Sequence, residues 1–241
     1  MMKVILPCFV MLASLVTFSQ DKVINDNNAE KRIVSDFHAI HVSDGIDLYI
    51  TQGTEEGLAV SASSSEYRNR IKAVVENGIL KIWYENNTNI GFTWSWHNRR
   101  LRAYVSVKTI DEITAGGGSD VYANAGIKAG KLALSLHGGS DFSGKIYASD
   151  LVIEQNGGSD ISISGTTVNL KVNANGGSDF KGFELVSENA VIDAHGGSDA
   201  RLTVTKELAV EANGGSDIDY RGSPVVKHSS SRGGSSISRR Q

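Results

Sequence analysis

From about residue 113 onward, apolar and polar positions alternate with a period of two, and the alternation returns in register every 18 to 21 residues. One column reads Ile113, Leu134, Ile153, Val172, Ile192 and Val210. A second, two residues earlier in each copy, reads Leu132, Leu151, Leu170, Ala190 and Leu208, and a third, two residues later, reads Ala115, Leu136, Gln155, Ala174, Ala194 and Ala212. The positions between them are mostly polar: Ser135, Glu154, Asn173, Asp193 and Glu211. Strict alternation of this kind predicts strands with one buried face. A unit of about 19 residues cannot bury that face alone, so successive units must stack, coil upon coil, about 4.8 Å apart.

The punctuation is as regular as the strands. "GGSD" stands at Gly117–Asp120, Gly138–Asp141, Gly157–Asp160, Gly176–Asp179, Gly196–Asp199 and Gly214–Asp217, with a weaker "GGSS" at Gly233–Ser236. The residue after each Asp is apolar: Val121, Phe142, Ile161, Phe180, Ala200 and Ile218. The tetrapeptide therefore reads as a corner between an arriving and a departing strand, with glycines supplying backbone angles closed to other residues. The expected fold is all-β, a right-handed parallel β-helix. A left-handed helix would show a six-residue subrepeat, and a calcium-binding β-roll would repeat a three-glycine motif every nine or so residues; the chain has neither.

Upstream, strand patterns continue without "GGSD". "HAIHVSDGIDLYITQG" alternates through Ile40, Val42, Ile46, Leu48 and Ile50, with a break at Asp44-Gly45. "KAVVENGILKIWYE" reads as a hairpin turning at Asn77-Gly78. "SSEYRNRI" reads as a single helical turn, "RLRAYVSV" as a further strand, and "ENNTNIGFTWSWHNRR" as a long loop. The first twenty residues, with Lys3 ahead of an apolar run from Val4 to Val16, read as a secretory signal too short to span a bilayer. The expected organisation is thus a signal at 1–20, a β-rich N-terminal section at 21–112 continuous with the superhelix, and the repeat array with a polar C-terminal cap at 113–241.

Composition narrows the chemistry. Glycine is abundant (26) and proline scarce (2) among 241 residues, as a chain of tight turns between strands requires. Loss of the signal would remove the single cysteine, Cys8, so neither disulfides nor thiol chemistry is expected in an exported chain. Loss of Lys3 moves the net charge from −3 to −4, which argues against nucleic acid as a partner. No later stretch is long and apolar enough to cross a bilayer.

Stacked turn aspartates about 4.8 Å apart repel by about 1 kcal/mol per pair even in a water-like dielectric, so they need compensation. Asx-type hydrogen bonds to the corner backbone would supply it; calcium, an oxygen-seeking cation, is the alternative. The residues preceding Gly-Gly (His137, Asn156, Asn175, His195 and Asn213) suit a side-chain ladder, and two Asn rungs between His137 and His195 disfavour a shared metal. Ser, His and Asp recur in every corner, so no single hydrolase triad is singled out. No catalytic residue, metal or cofactor is expected. The candidate binding residues are Phe92, Trp94 and Trp96, at spacing two in the long loop, with Arg99 and Arg100 beside them, since Trp and Arg are favoured at recognition sites.

"RIVSDFHAIHVSDGIDLYITQG", "LAVSA", "VVENGILKIWYE", the Gly-Ser-Asp array and the closing "YRGSPVV" together resemble the auto-transporter adhesin, head GIN domain family of secreted bacterial proteins common in Bacteroidetes, over roughly Arg32 to Ser238. The resemblance implies a pectin lyase-like superhelix with "GSD" turns, no catalytic residues and a role in adhesion. It implies a glycan or protein partner at the cell envelope, and a homo-oligomer, a trimer by analogy with other auto-transporter heads. The expected location is the periplasm, the outer-membrane surface or the medium of a Gram-negative cell. The alternative function is a carbohydrate-active enzyme, a polysaccharide lyase or hydrolase on the same β-helix.

Overall fold

The computed structural model describes residues 26–86 and 99–241. Five long strand runs of 15 to 17 residues form the array: β9 (Val121–His137), β10 (Phe142–Asn156), β11 (Asp160–Asn175), β12 (Asp179–His195) and β13 (Asp199–Asn213). Each pairs in parallel with the next, in the register expected from the columns: Phe142 lies beside Val121 and Ile161, and Leu151 beside Leu132 and Leu170. The result is a parallel β-solenoid of about seven turns with coils of about 19 residues. The apolar columns face inward and are buried from Val121 through Ile218. Gln155 is a polar member of one of these columns; its amide donates to the Ser159 and Asp179 carbonyls at 2.8 and 3.0 Å.

The N-terminal section is built from β1 (Glu30–Arg32), β2 (Ala39–Val42), β3 (Asp47–Gln52), β4 (Gly57–Ser61), β5 (Ile71–Glu76), β6 (Ile79–Tyr84), β7 (Arg102–Val107) and β8 (Glu112–Ala115). The hairpin is β5–β6, antiparallel, with Asn77 and Gly78 both at positive φ. The helical turn is α1 (Ser65–Asn69), whose N-cap Ser64 accepts from the Tyr67 N–H.

The order of coils in space is not their order in the chain. β2 and β3 form a first coil; the chain then leaves to build β4, α1 and β5, and returns as β6 and β7 on the outer side of that coil. Only then do β8 and β9 cover its inner side, with β2 paired to β8 and Leu48 beside Val121. The first coil is therefore sandwiched between later ones, and antiparallel β4 and β5 close the outer edges. At the other end, β14 (Asp217–Arg221) and β15 (Val225–Arg232) stack on β13 as one coil, and β16 (Ser236–Arg239) stacks on β14 as the start of the next; β15 is largely exposed, Val225 at 61%. The basic side chains at this end (Lys227, Arg232, Arg239, Arg240) disfavour edge-to-edge pairing.

Each GGSD corner works through its serine as much as its glycines. Both glycines hold positive φ, 63° and 74° at Gly138 and Gly139. The serines Ser119, Ser140, Ser159, Ser178, Ser198 and Ser216 are fully buried. Ser216 Oγ accepts from the Gly197 and Ser198 N–H groups of the preceding coil at 3.3 and 3.2 Å, and donates to the Asn213 carbonyl at 2.9 Å. Ser178, Ser198 and Ser235 donate likewise within their own coils. The corner glycines hold the main chain of one coil against that of the next; a Cβ on Gly214 would meet Gly196 N at 3.2 Å. Orphaning a buried polar group costs roughly 1–3 kcal/mol. Ser216→Ala should therefore cost about 2–3 kcal/mol, read as a lower denaturation midpoint at unchanged m-value. The exposed Ser229→Ala control should be nearly neutral.

Candidate functional site

The aspartates of the corners form one column along the outside of the solenoid, and it is longer than the repeats. Asp47 pairs with Arg102 on one side, and its neighbour Leu48 pairs with Val121, so Asp47 heads the column Asp120, Asp141, Asp160, Asp179, Asp199 and Asp217. The break at Asp44-Gly45 is thus a corner of the same kind; the Ile46 N–H donates to Ser119 Oγ at 3.1 Å.

The carboxylates are compensated locally. Asp141 accepts from the Asp160 N–H at 3.1 Å, and Asp217 from Ser236 Oγ at 2.7 Å. Lys181 Nζ reaches Asp160 at 2.6 Å and Asp179 at 3.5 Å, and Arg201 reaches Asp199 at 4.0 Å. Among the described residues no group of three or more His, Cys, Asp or Glu is placed to hold a metal ion. The column before Gly-Gly is a ladder: Asn156 meets His137 at 3.4 Å, Asn175 donates to Asn156 at 3.3 Å, and Asn213 meets His195 at 3.4 Å.

Two residues beyond the aspartates, the column reads Tyr104, Tyr49, Tyr122, Ser143, Ser162, Lys181 and Arg201. The three tyrosines stack, Tyr49 lying 5.2 Å from Tyr104 and 4.9 Å from Tyr122. Tyr104 donates to Asp26 at 2.9 Å. Burial pulls Asp26 upward, but hydrogen bonds from Ser61, Tyr104 and the Asn28 N–H, with Arg102, hold it below the ordinary carboxylate value. Burial, then Asp120, Asp47 and Tyr49, push the Tyr122 phenol up to about 12. Burial and Asp141 raise Asp120, and burial and Asp120 raise Asp47.

A raised carboxylate pKa means that the folded state binds more protons than the unfolded one, so stability falls as pH climbs from the ordinary value of 3.8 through the folded pKa. Asp120→Asn should raise the melting temperature at pH 7 by about 1–3 °C. The gain should vanish in thermal melts below pH 3.8, where wild-type Asp120 is protonated in both states.

Beside Ser143 and Ser162 the surface sinks into a groove of about 670 Å³, lined by Asn124, Gly144, Lys145, Ile163, Ser164, Lys181, Phe183, Glu184 and Arg201 as well as the two serines. Its floor is low because serine and glycine follow Tyr122 along these columns. Phe183 forms part of its wall and carries the Arg221 guanidinium 4.1 Å above its ring. A second depression of about 250 Å³ lies over Asp150, Asn169, Asn189 and Glu207. Most of its polar side chains are already engaged, Asn169 with Asp150 at 2.8 Å, Asn189 with Asn169 at 3.0 Å, and Lys227 with Glu207 at 3.1 Å.

Of the residues expected to bind, Phe92, Trp94 and Trp96 lie outside the described residues. Arg99 stacks over Tyr84 at 4.7 Å and Tyr67 at 5.9 Å and donates to Asn86 at 3.4 Å. Arg100 is exposed at positive φ, 46°. The groove was not singled out by the sequence, because its members come from five coils and are ordinary polar residues in each.

The stacked coils and their repeated corners define a parallel β-solenoid, and the comparisons agree. The chain belongs to the family described as "putative auto-transporter adhesin, head GIN domain", whose model matches residues 36–224. Among solved structures it is similar to a putative adhesin from Bacteroides fragilis, with TM-score 0.78 and 18% identity over 88% of this chain and 96% of that one. A putative adhesin from Parabacteroides distasonis gives TM-score 0.69 and 18% identity over 88% and 96%. A putative lipid-binding protein from the same species gives 0.60 and 18% over 90% and 98%. None of the curated proteins matches. No described helix is long and apolar enough to cross a membrane.

Proposed function

We propose that the chain is a non-enzymatic protein of the cell envelope or surface, exported by its N-terminal signal, that holds a glycan or protein partner as an adhesin. The observation that carries this reading is the division of labour among the polar residues of the coils. The corner columns are spent on the architecture: Asp, Asn and Ser hydrogen-bond to their own neighbours from coil to coil, in the same way at successive corners. Such repetition gives no single acid–base pair a distinct environment, which catalysis requires. It builds instead a rigid surface on which a few irregular features stand out, the shape of a recognition module. Family membership supports adhesion as the role.

The test is a screen of the chain from Asp21 onward against immobilised glycans and matrix proteins, with a Trp94→Ala/Trp96→Ala variant alongside. Saturable binding to at least one glycan or protein is expected. Absence of binding throughout, with turnover of any polysaccharide, would replace the adhesin with the enzyme. Equal binding by both forms would remove the aromatic loop as the site and leave the adhesin standing.

A further inference from the structure

Most polar side chains that line the groove beside the Asp column are not used by the fold. Among the described residues, Asn124, Ser143, Lys145, Ser162, Ser164 and Glu184 form no side-chain hydrogen bond or ion pair. Several of their neighbours are engaged. Lys181 is tied to Asp160 and Asp179, Arg201 lies against Asp199, and the Asn ladders close on themselves. Lys145, Ser164 and Glu184 are also successive partners across three coils, so a free ammonium, hydroxyl and carboxylate stand in line along the axis. Donors and acceptors are both on offer, with Phe183 on the wall.

We infer that this groove is a binding site for a short neutral oligosaccharide, lying along the solenoid axis across Ser143, Ser162 and Lys181. The inference rests on the adhesin reading above and names a site and ligand class for it. Three features of the groove select that class. Coils rise by about 4.8 Å, close to the advance of one pyranose unit along a glycan chain, so successive sugars meet equivalent rungs. The volume of about 670 Å³ falls within the roughly 300–1,000 Å³ of small-molecule sites. Hydroxyls both donate and accept, so a polyol can use the free Lys145 and Glu184 together, whereas an acidic glycan would pair with Lys145 but meet Glu184 as a like charge, Lys181 and Arg201 being already turned to the flanking aspartates.

The experiment is calorimetric titration of the chain from Asp21 onward with cellohexaose, xylohexaose, mannohexaose and trigalacturonate. At least one neutral probe should bind, with Kd between about 10 μM and 1 mM. Ser162→Trp, at an exposed position on the groove floor, should weaken it at least tenfold without lowering the melting temperature. Should Ser162→Trp fail to fold, Lys145→Ala/Glu184→Ala serves, with the same loss expected. Three results would overturn the inference: no binding of any neutral probe, tighter binding of trigalacturonate, or neutral binding unchanged in both variants. The first two leave the adhesin reading open to a protein or acidic partner, and the third leaves a glycan partner at another place.

Discussion

Gly165→Ala is expected to lower stability by about 4 kcal/mol or more, a loss of the size that only a few mechanisms produce. Gly165 sits at φ +120° in the strand run β11. That angle is nearly closed to residues with a side chain. The space is closed as well: a Cβ there would fall on the carbonyl oxygen and carbon of Ile146, one coil below. Ile146 is fully buried and its backbone belongs to the ladder, so it cannot swing aside as a flexible side chain would. Thermal melts should show a fall of more than about 8 °C, given roughly 2–4 °C per kcal/mol for a chain of this size. Gly158→Ala separates the two causes. Its φ is +79° and nothing lies within 4 Å of the added Cβ, so it should cost only the conformational term, about 1–2 kcal/mol. Equal losses at the two positions would mean that the contact with Ile146 carries no weight.

The second large effect concerns Phe180, one of the largest fully buried side chains, whose ring occupies room left by Gly182. A Cβ at Gly182 would lie 2.5 Å from the ring and 3.0 Å from the Arg201 carbonyl oxygen. Phe180→Ala should cost about 3–5 kcal/mol through lost burial and the cavity left behind. Gly182→Ala alone should also destabilise, by crowding the ring. Together they should cost less than their sum by about 1–2 kcal/mol, because removing the ring removes most of the crowding. Strict additivity in a double-mutant cycle would show that the ring and the glycine do not share that space.

How much of this was legible beforehand depended on whether the information lay along the chain or across it. The inward columns were legible because strand periodicity is local: Leu134 and Ile153 announce themselves by alternation alone. The turn Asn77-Gly78 and the helical turn at Ser65–Asn69 were legible for the same reason. The corner serine was only partly read. Its type says that it bonds locally, and it does, to the carbonyl three residues back, but its burial and its bonds to the previous coil appear only when coils are stacked. Asp47 was missed as a member of the Asp column because its corner, "SDGID", departs from GGSD. The signal was available in the apolar Ile46 and Leu48 on either side of it. The groove could not be read at all. Lys145, Ser164 and Glu184 sit in different repeats at offsets that bulges have shifted, and only the three-dimensional register brings them into line.

The misordered first coil carries a consequence for how the molecule comes into being. A solenoid whose coils follow chain order can grow from one end, each turn condensing on the last. Here the coil of residues 39–52 waits for partners on both sides, and the Ile46–Ser119 bond alone bridges 73 positions. The earliest-made strands must stay unpaired while the rest emerges, at the entropic expense of a long loop closure. Once Val121 and Ser119 arrive, the same act seats the first coil and supplies the template for the whole array. From the sandwiched coil the regular repeats can then be added toward β16, each one closing only a short stretch of chain.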